Sequence, residues 1–191
     1  AFESAYDRVC VYGCASVFDP RVEYDLPAEL AARIRFLGYV VRPAPPRGLA
    51  PLPPDRPQVL VTMGGGEDGA SRIEAYLEGL RPAPVAWDST IVLGPLLDPV
   101  RARRIKRQAR YLEGVEVHSF HADLPRLLGE VDAVVAMAGY NTTAEILQSG
   151  VPAVLLPRAF PRREQLVRAQ RLEALGLAQC LPAPKPRELR A

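Results

Sequence analysis

Cysteine is scarce in this chain: Cys10, Cys14 and Cys180 are too few and too scattered to form a disulfide framework. No second cysteine pair and no histidine cluster completes a zinc site around them, so no metal is expected. Lysine is nearly missing too, with two residues against twenty-two arginines, and the net charge of +2 gives no bulk electrostatic case for nucleic acid. Aromatic residues make up 7% of the chain. The most basic stretch, Arg101, Arg103, Arg104, Lys106, Arg107 and Arg110, has only Tyr111 beside it to stack on a base. It reads as a solvated helix face. No apolar run approaches the ~20 residues of a membrane span, and no signal-peptide pattern is present, so a cytoplasmic setting is expected. The chain opens on Ala1-Phe2 without a methionine, which leads us to expect a longer natural protein.

What the chain does have is a hydrophobic content of 48% with 24% charged residues over 191 positions, enough to bury a core. Residues 8–13 read as a short buried strand closed by Gly13, Asp19-Pro20 as a turn, Pro27 to Phe36 as a helix, and Leu37 to Val41 as a second strand. So little structure suggests that 1–42 is the tail of a preceding N-terminal domain. Between Pro43 and Pro57 seven of fifteen residues are proline, which removes backbone donors and marks 43–57 as an interdomain linker.

From Gln58 onward the pattern is regular. Strands are expected at 58–62, 90–93, 115–120, 133–138 and 151–157. Helices are expected at 70–80, 99–112 and 123–128, and from Thr142 to Ser149. Apolar strands alternating with helices at this rhythm argue for an α/β fold, a Rossmann-like open parallel sheet with helices on both faces, over 58–181. Residues 182–191 form a Pro- and Arg-rich tail expected to lie outside the core.

Ligands of such sheets bind in loops beyond the carboxyl ends of the strands. Three loops there carry chemistry. Gly64-Gly65-Gly66 follows a strand and lets backbone N–H groups approach an anion, but it lacks the Lys-Ser/Thr pair of a phosphate-binding P-loop and the spacing of a dinucleotide fold. Phe120-His121 ends another strand, where main-chain groups can read a base edge. Gly139-Tyr140-Asn141-Thr142-Thr143-Ala144-Glu145 joins strand to helix. Its Thr142-x-x-Glu145 spells a capping box, yet a carboxylate there can also accept both hydroxyl hydrogens of a ribose. Arg158, Arg162 and Arg163 flank Pro161 and supply counter-charge for a diphosphate, and Glu164-Gln165 offers an acceptor and an amide to sugar hydroxyls.

The order of these residues resembles the C-terminal, donor-binding domain of GT-B fold glycosyltransferases of family 28 type, the group of the peptidoglycan N-acetylglucosaminyltransferase and the galactolipid synthases. The likeness covers about residues 38 to 180. It is carried by Gly64 to Gly66, Ser119-Phe120-His121, Ala138 to Glu145, Gly150 to Ala153, Leu156-Pro157 and Glu164-Gln165. The resemblance implies that Glu145 holds the ribose, His121 contacts the base through its backbone, and both glycine-bearing turns bind the diphosphate. It further implies that Arg163, Glu164 and Gln165 lie at the donor sugar, and that Arg42, in the segment between domains, reaches the donor.

The expected function is therefore the donor half of a glycosyltransferase, moving a sugar from a nucleotide-diphosphate sugar, UDP-sugar above others, to an acceptor hydroxyl with inversion. No cofactor and no metal are expected. The catalytic base is assigned to an N-terminal acceptor domain or partner subunit, with peripheral membrane association if the acceptor is a lipid. A non-catalytic nucleotide-sugar-binding module and a nucleotide-sugar epimerase of the same fold remain alternatives.

Overall fold

The computed structural model describes residues 6–43 and 55–190. Most of the proline-rich stretch 43–57, where the domain boundary is expected, lies outside these residues.

Six strands build one parallel sheet: β3 (Gln58–Thr62), β4 (Asp88–Val92), β5 (Val115–His118), β6 (Ala133–Ala136), β7 (Ala153–Leu155) and β8 (Gln179–Cys180). Their order across the sheet is β5-β4-β3-β6-β7-β8. All pairs are parallel, and Leu60 of β3 lies between Thr90 of β4 and Val134 of β6. The order reverses between β3 and β6, so a crevice opens beyond the carboxyl ends of these two central strands.

Side-chain alternation divides the core into two layers. Leu60, Val134, Ala136 and Leu155 point to one face, and Val61, Val135, Met137 and Leu156 to the other. On the second face lie α3 (Ala70–Leu80) and α4 (Pro99–Ala109), burying Ile73, Tyr76, Leu77 and Ile105. On the first lie α5 (Leu124–Glu130), α6 (Tyr140–Ser149) and α7 (Glu164–Ala174), burying Leu128, Ile146 and Leu172. The expected open parallel sheet with helices on both faces is what the chain forms.

Local chemistry explains the starts of these helices. Asp98 accepts from the N–H groups of Val100 and Arg101 ahead of Pro99, and Asp123 accepts from Arg126 N–H. Gly150, at φ 66°, closes α6 in the left-handed region. β8 was not anticipated, because a two-residue strand leaves no periodic signature.

The first forty residues depart most from expectation. The helix expected over 27–36 is only α2 (Ala28–Ala31), preceded by α1 (Pro20–Glu23), and the second strand is β2 (Ile34–Phe36) in place of 37–41. Ile34 and Phe36 pair in parallel with Val9 and Val11 of β1 (Val9–Val11), so strand pairing overrides the helical propensity of the preceding alanines. β1 is partly exposed, not buried. Gly13 bridges to Gly38, the remnant of the expected strand.

The C-terminal stretch also differs. A 3-10 turn at Pro186–Leu189 packs on α3 and delivers Leu189 into the core. Among the described residues no helix is long and apolar enough to cross a membrane.

Candidate functional site

A cleft of about 720 Å³ opens where the sheet order reverses. Its floor is made by the ends of β3 and β6: Thr62, Met63, Gly64 and Gly65 on one side, Met137 and Gly139 to Thr142 on the other. The two turns meet closely, since a Cβ on Gly64 would stand 3.5 Å from Thr142 Oγ1. Gly64 has φ +62°, which favours glycine. Gly66 has a different duty. It does not line the cleft, and a Cβ there would collide with the Leu93 carbonyl, so its glycine permits the β3 turn to seat against the β4 loop. Leu96 N–H donates to the Gly65 carbonyl across the same contact.

Helix α6 begins at Tyr140, two residues ahead of the expected Thr142, with extended Gly139 as its first flanking residue and no side chain capping it. The capping-box reading of Thr142 and Glu145 is thereby overturned: Thr142 already lies inside the helix. The first-turn N–H groups of Tyr140, Asn141 and Thr142 stay uncapped at the cleft, a position that favours an anion. Thr143 is different, because its N–H donates to the Gly139 carbonyl and its side chain is 1% exposed. Thr143 thus stands behind the cleft wall and not in it.

Glu145, freed from capping, is 9% exposed and lines the cleft. Its Oε1 accepts a 2.9 Å ion-paired hydrogen bond from Arg42 Nη2. The segment carrying Arg42 is fastened to the same helix: Tyr39 stacks on Tyr140 with ring centroids 5.7 Å apart, and Val40 N–H donates to the Tyr140 hydroxyl at 3.1 Å.

At one end of the cleft stand Phe120 and His121. His121 Nδ1 accepts from Asp123 N–H at 3.2 Å, tying the loop to the start of α5. At the other end Gln165 Oε1 accepts from Arg158 N–H, and Arg158 pairs with Asp68 of the glycine turn. Arg72 holds this end in place by donating to the carbonyls of Leu156 and Pro157, and burial pushes its guanidinium pKa down.

Arg163 and Glu164, expected beside Gln165, do not line the cleft. Arg163 is exposed at the start of α7. Glu164 turns away to accept from the Tyr24 hydroxyl at 2.5 Å. Partial burial pushes its carboxyl up, but the Tyr24 hydroxyl, its own N–H, Arg162 and Arg158 together hold it below the usual range. Neighbouring positions on a helix point about 100° apart, so the three residues cannot all face one cleft.

Residues 98–186 match the family model described as "Glycosyltransferase family 28 C-terminal domain". These residues form a glycosyltransferase family 28 C-terminal domain.

The chain is 32% identical over 168 residues to the UDP-N-acetylglucosamine--N-acetylmuramyl-(pentapeptide) pyrophosphoryl-undecaprenol N-acetylglucosamine transferase of Methylobacterium sp. (strain 4-46), covering 84% of this chain and 44% of that protein. Among solved structures, the glycotransferase of kitacinnamycin superposes with a TM-score of 0.69 at 23% identity, over 97% of this chain and 45% of that one. MurG of Acinetobacter baumannii superposes with a TM-score of 0.67 at 19% identity, over 96% and 50%. Both show the fold, the GT-B glycosyltransferase arrangement of the sheet. The chain spans less than half the length of the curated relatives it matches.

The family 28 domain supplies His121 through Gln165, whereas Arg42 and the glycine turn come from outside the matched residues. Several cleft residues escaped the sequence reading. Thr62 is buried with its hydroxyl unpartnered among the described residues, and Gly94 to Leu96 and Asp68 reach the cleft from β4 and from the turn. Strand-end position was the available signal for Thr62 and Gly94.

Proposed function

We propose that the cleft binds the nucleotide-sugar donor, a UDP-sugar, of a glycosyltransferase. The observation that carries this reading is Glu145: a nearly buried carboxylate at the reversal point of the sheet, not consumed by capping, beside an uncapped helix start. A ribose presents two vicinal hydroxyls, and a carboxylate has two oxygens to accept them. The first-turn N–H groups of α6 and the Gly64-Gly65 turn, which line the same cleft, cradle the diphosphate between them. Arg158 adds charge beside it. The main chain at Phe120-His121 takes the base, and the Gln165 amide takes a sugar hydroxyl.

In the reaction, an acceptor hydroxyl attacks the anomeric carbon from the face opposite the diphosphate, inverting that centre. The diphosphate leaves with the bonding electrons, and its charge is met by the helix N–H groups at the cleft. The acceptor's proton goes to a base outside the described residues. The curated relative's name specifies a pyrophosphoryl-undecaprenol acceptor for that protein. A lipid-linked acceptor hydroxyl is our reading for this one.

Calorimetry of UDP with the longest natural protein containing this chain tests the assignment. Glu145→Ala is expected to weaken binding by about 1–3 kcal/mol, roughly fivefold to 150-fold in Kd. Failure of UDP and every other nucleoside diphosphate to bind the wild-type protein ends the reading.

A further inference from the structure

We propose that Arg168 is a positioning residue for the donor diphosphate: from behind the cleft wall its guanidinium fixes and polarises the Ala138–Gly139 peptide, which leads into α6. This rests on the nucleotide reading above. β6 ends at Ala136 and α6 begins at Tyr140, so the carbonyl of buried Ala138 belongs to neither element's ladder and needs a partner from elsewhere. Arg168 Nη1 donates to it at 2.6 Å. A carbonyl that accepts from a cation draws electron density out of its own peptide, and the N–H that gains donor strength is that of Gly139. Gly139 lines the cleft. Its φ of −65° suits any residue, and among the described residues a Cβ there would meet nothing within 4 Å. Neither backbone nor packing asks for glycine at this position, and its bareness leaves room for a ligand to come close.

Arg168 itself does not line the cleft. It stands one helical turn beyond Gln165, which does, on the same stripe of α7. On its far side the guanidinium lies 5.8 Å from the centre of the Phe18 ring. Burial pushes its pKa down and Tyr39, Glu164, Tyr140 and Tyr24 oppose that shift, so the group stays a cation. The carboxylate among them, Glu164, accepts from the Tyr24 hydroxyl and makes no ion pair with Arg168 among the described residues. A cation set beside the positive end of a helix is unfavourable on its own. A diphosphate on the cleft side of the turn offsets it.

Titration calorimetry of uridine and UDP with the longest natural protein containing this chain, as wild type and as Arg168→Gln, Arg168→Lys and Phe18→Leu, tests the proposal. Glutamine keeps an amide to donate to Ala138 but no charge, so UDP is expected to bind about three- to tenfold more weakly, the scale of one charge at a helix start. Uridine binding stays as in wild type. Lysine keeps the charge and restores most of the UDP affinity. Phe18→Leu removes the ring beyond the guanidinium, and it is expected to lower the thermal midpoint and leave UDP affinity unchanged. Arg168→Met, neutral and of similar length, takes the place of a glutamine variant that does not fold, with the same expected loss. Equal losses for uridine and UDP in the neutral variant overturn the proposal, because the whole cleft has then moved. So does a Phe18→Leu protein as weak for UDP as the neutral variant, which reduces Arg168 to packing, or a lysine variant that loses UDP as fully. Wild-type protein that binds no nucleoside diphosphate removes the nucleotide reading and this proposal with it. UDP binding that depends on Glu145 but is indifferent to the charge at Arg168 removes the proposal alone.

Discussion

Two residues three positions apart on one helix show how differently a site and its support treat a polar atom. Thr142 faces the glycine turn and Glu145 faces the cleft, while Thr143 between them is fully buried with its Oγ1 unpartnered among the described residues. An unpaired buried hydroxyl carries a desolvation cost with no return. Thr143→Val keeps the branched shape and removes that cost, so chemical denaturation should give a midpoint raised by about 1 kcal/mol in stability. UDP affinity should stay unchanged, because the hydroxyl is behind the wall. A lowered midpoint would reveal a water or ligand partner for it. None of this was legible in the Thr142-Thr143 pair as letters. The pairing of Glu145 was equally hidden: Arg42 lies 103 positions away, and only the fold brings them together.

At the scale of elements, legibility followed the strength of the period. β3 and α3 were placed to the residue, since Gln58–Thr62 is bounded by proline and glycine and α3 shows a clear apolar stripe. The 3-10 turn at the C-terminus was not, because its place depends on a groove created by Gly79. A Cβ on Gly79 would strike the Pro186 carbonyl oxygen. Helix propensity alone favours alanine there by about 1 kcal/mol. The two effects separate in a pair of thermal melts. Gly79→Ala should lower the unfolding midpoint of the full chain and raise it in a chain ending at Leu181, where the obstacle is gone. The same sign in both backgrounds would show that the turn does not rest on Gly79. The strand and helix edges in 27–41 were misread for a related reason: β1 falls within the strand expected over 8–13, but β2 is fixed by pairing with it across the sequence and is too short to announce itself.

On the scale of the whole molecule, residues 6–43 and the sheet unit touch along α6 and α7. Val17 is buried in the sheet's core, Arg168 lies over the Phe18 ring at 5.8 Å, and Tyr24 donates to Glu164. Burial, then the hydrogen bond to Glu164 and its charge, pushes the Tyr24 hydroxyl up from 10.0 to about 12. A pKa raised on folding gives stability that is whole below the unfolded value and lost as pH climbs from about 10 through 12. Glu164, held low, contributes above its ordinary 4.5 and loses that contribution as pH falls below it. The stability difference between wild type and Tyr24→Phe should therefore be flat in the neutral range and shrink at both extremes. Urea titrations at a series of pH values measure it, and a difference independent of pH would mean that the contact is not formed in solution.

Tyr140 belongs to both parts at once. Its ring and hydroxyl hold the Tyr39-Val40 segment, and its backbone begins the helix that carries Glu145. Seating of that segment and occupancy of Glu145 are therefore linked quantities in the strict thermodynamic sense. A ligand that binds Glu145 with different affinity when Arg42 is seated and when it is not shifts that seating by the same factor. Whatever draws residues 38–42 away from α6 is felt at Glu145 without touching it.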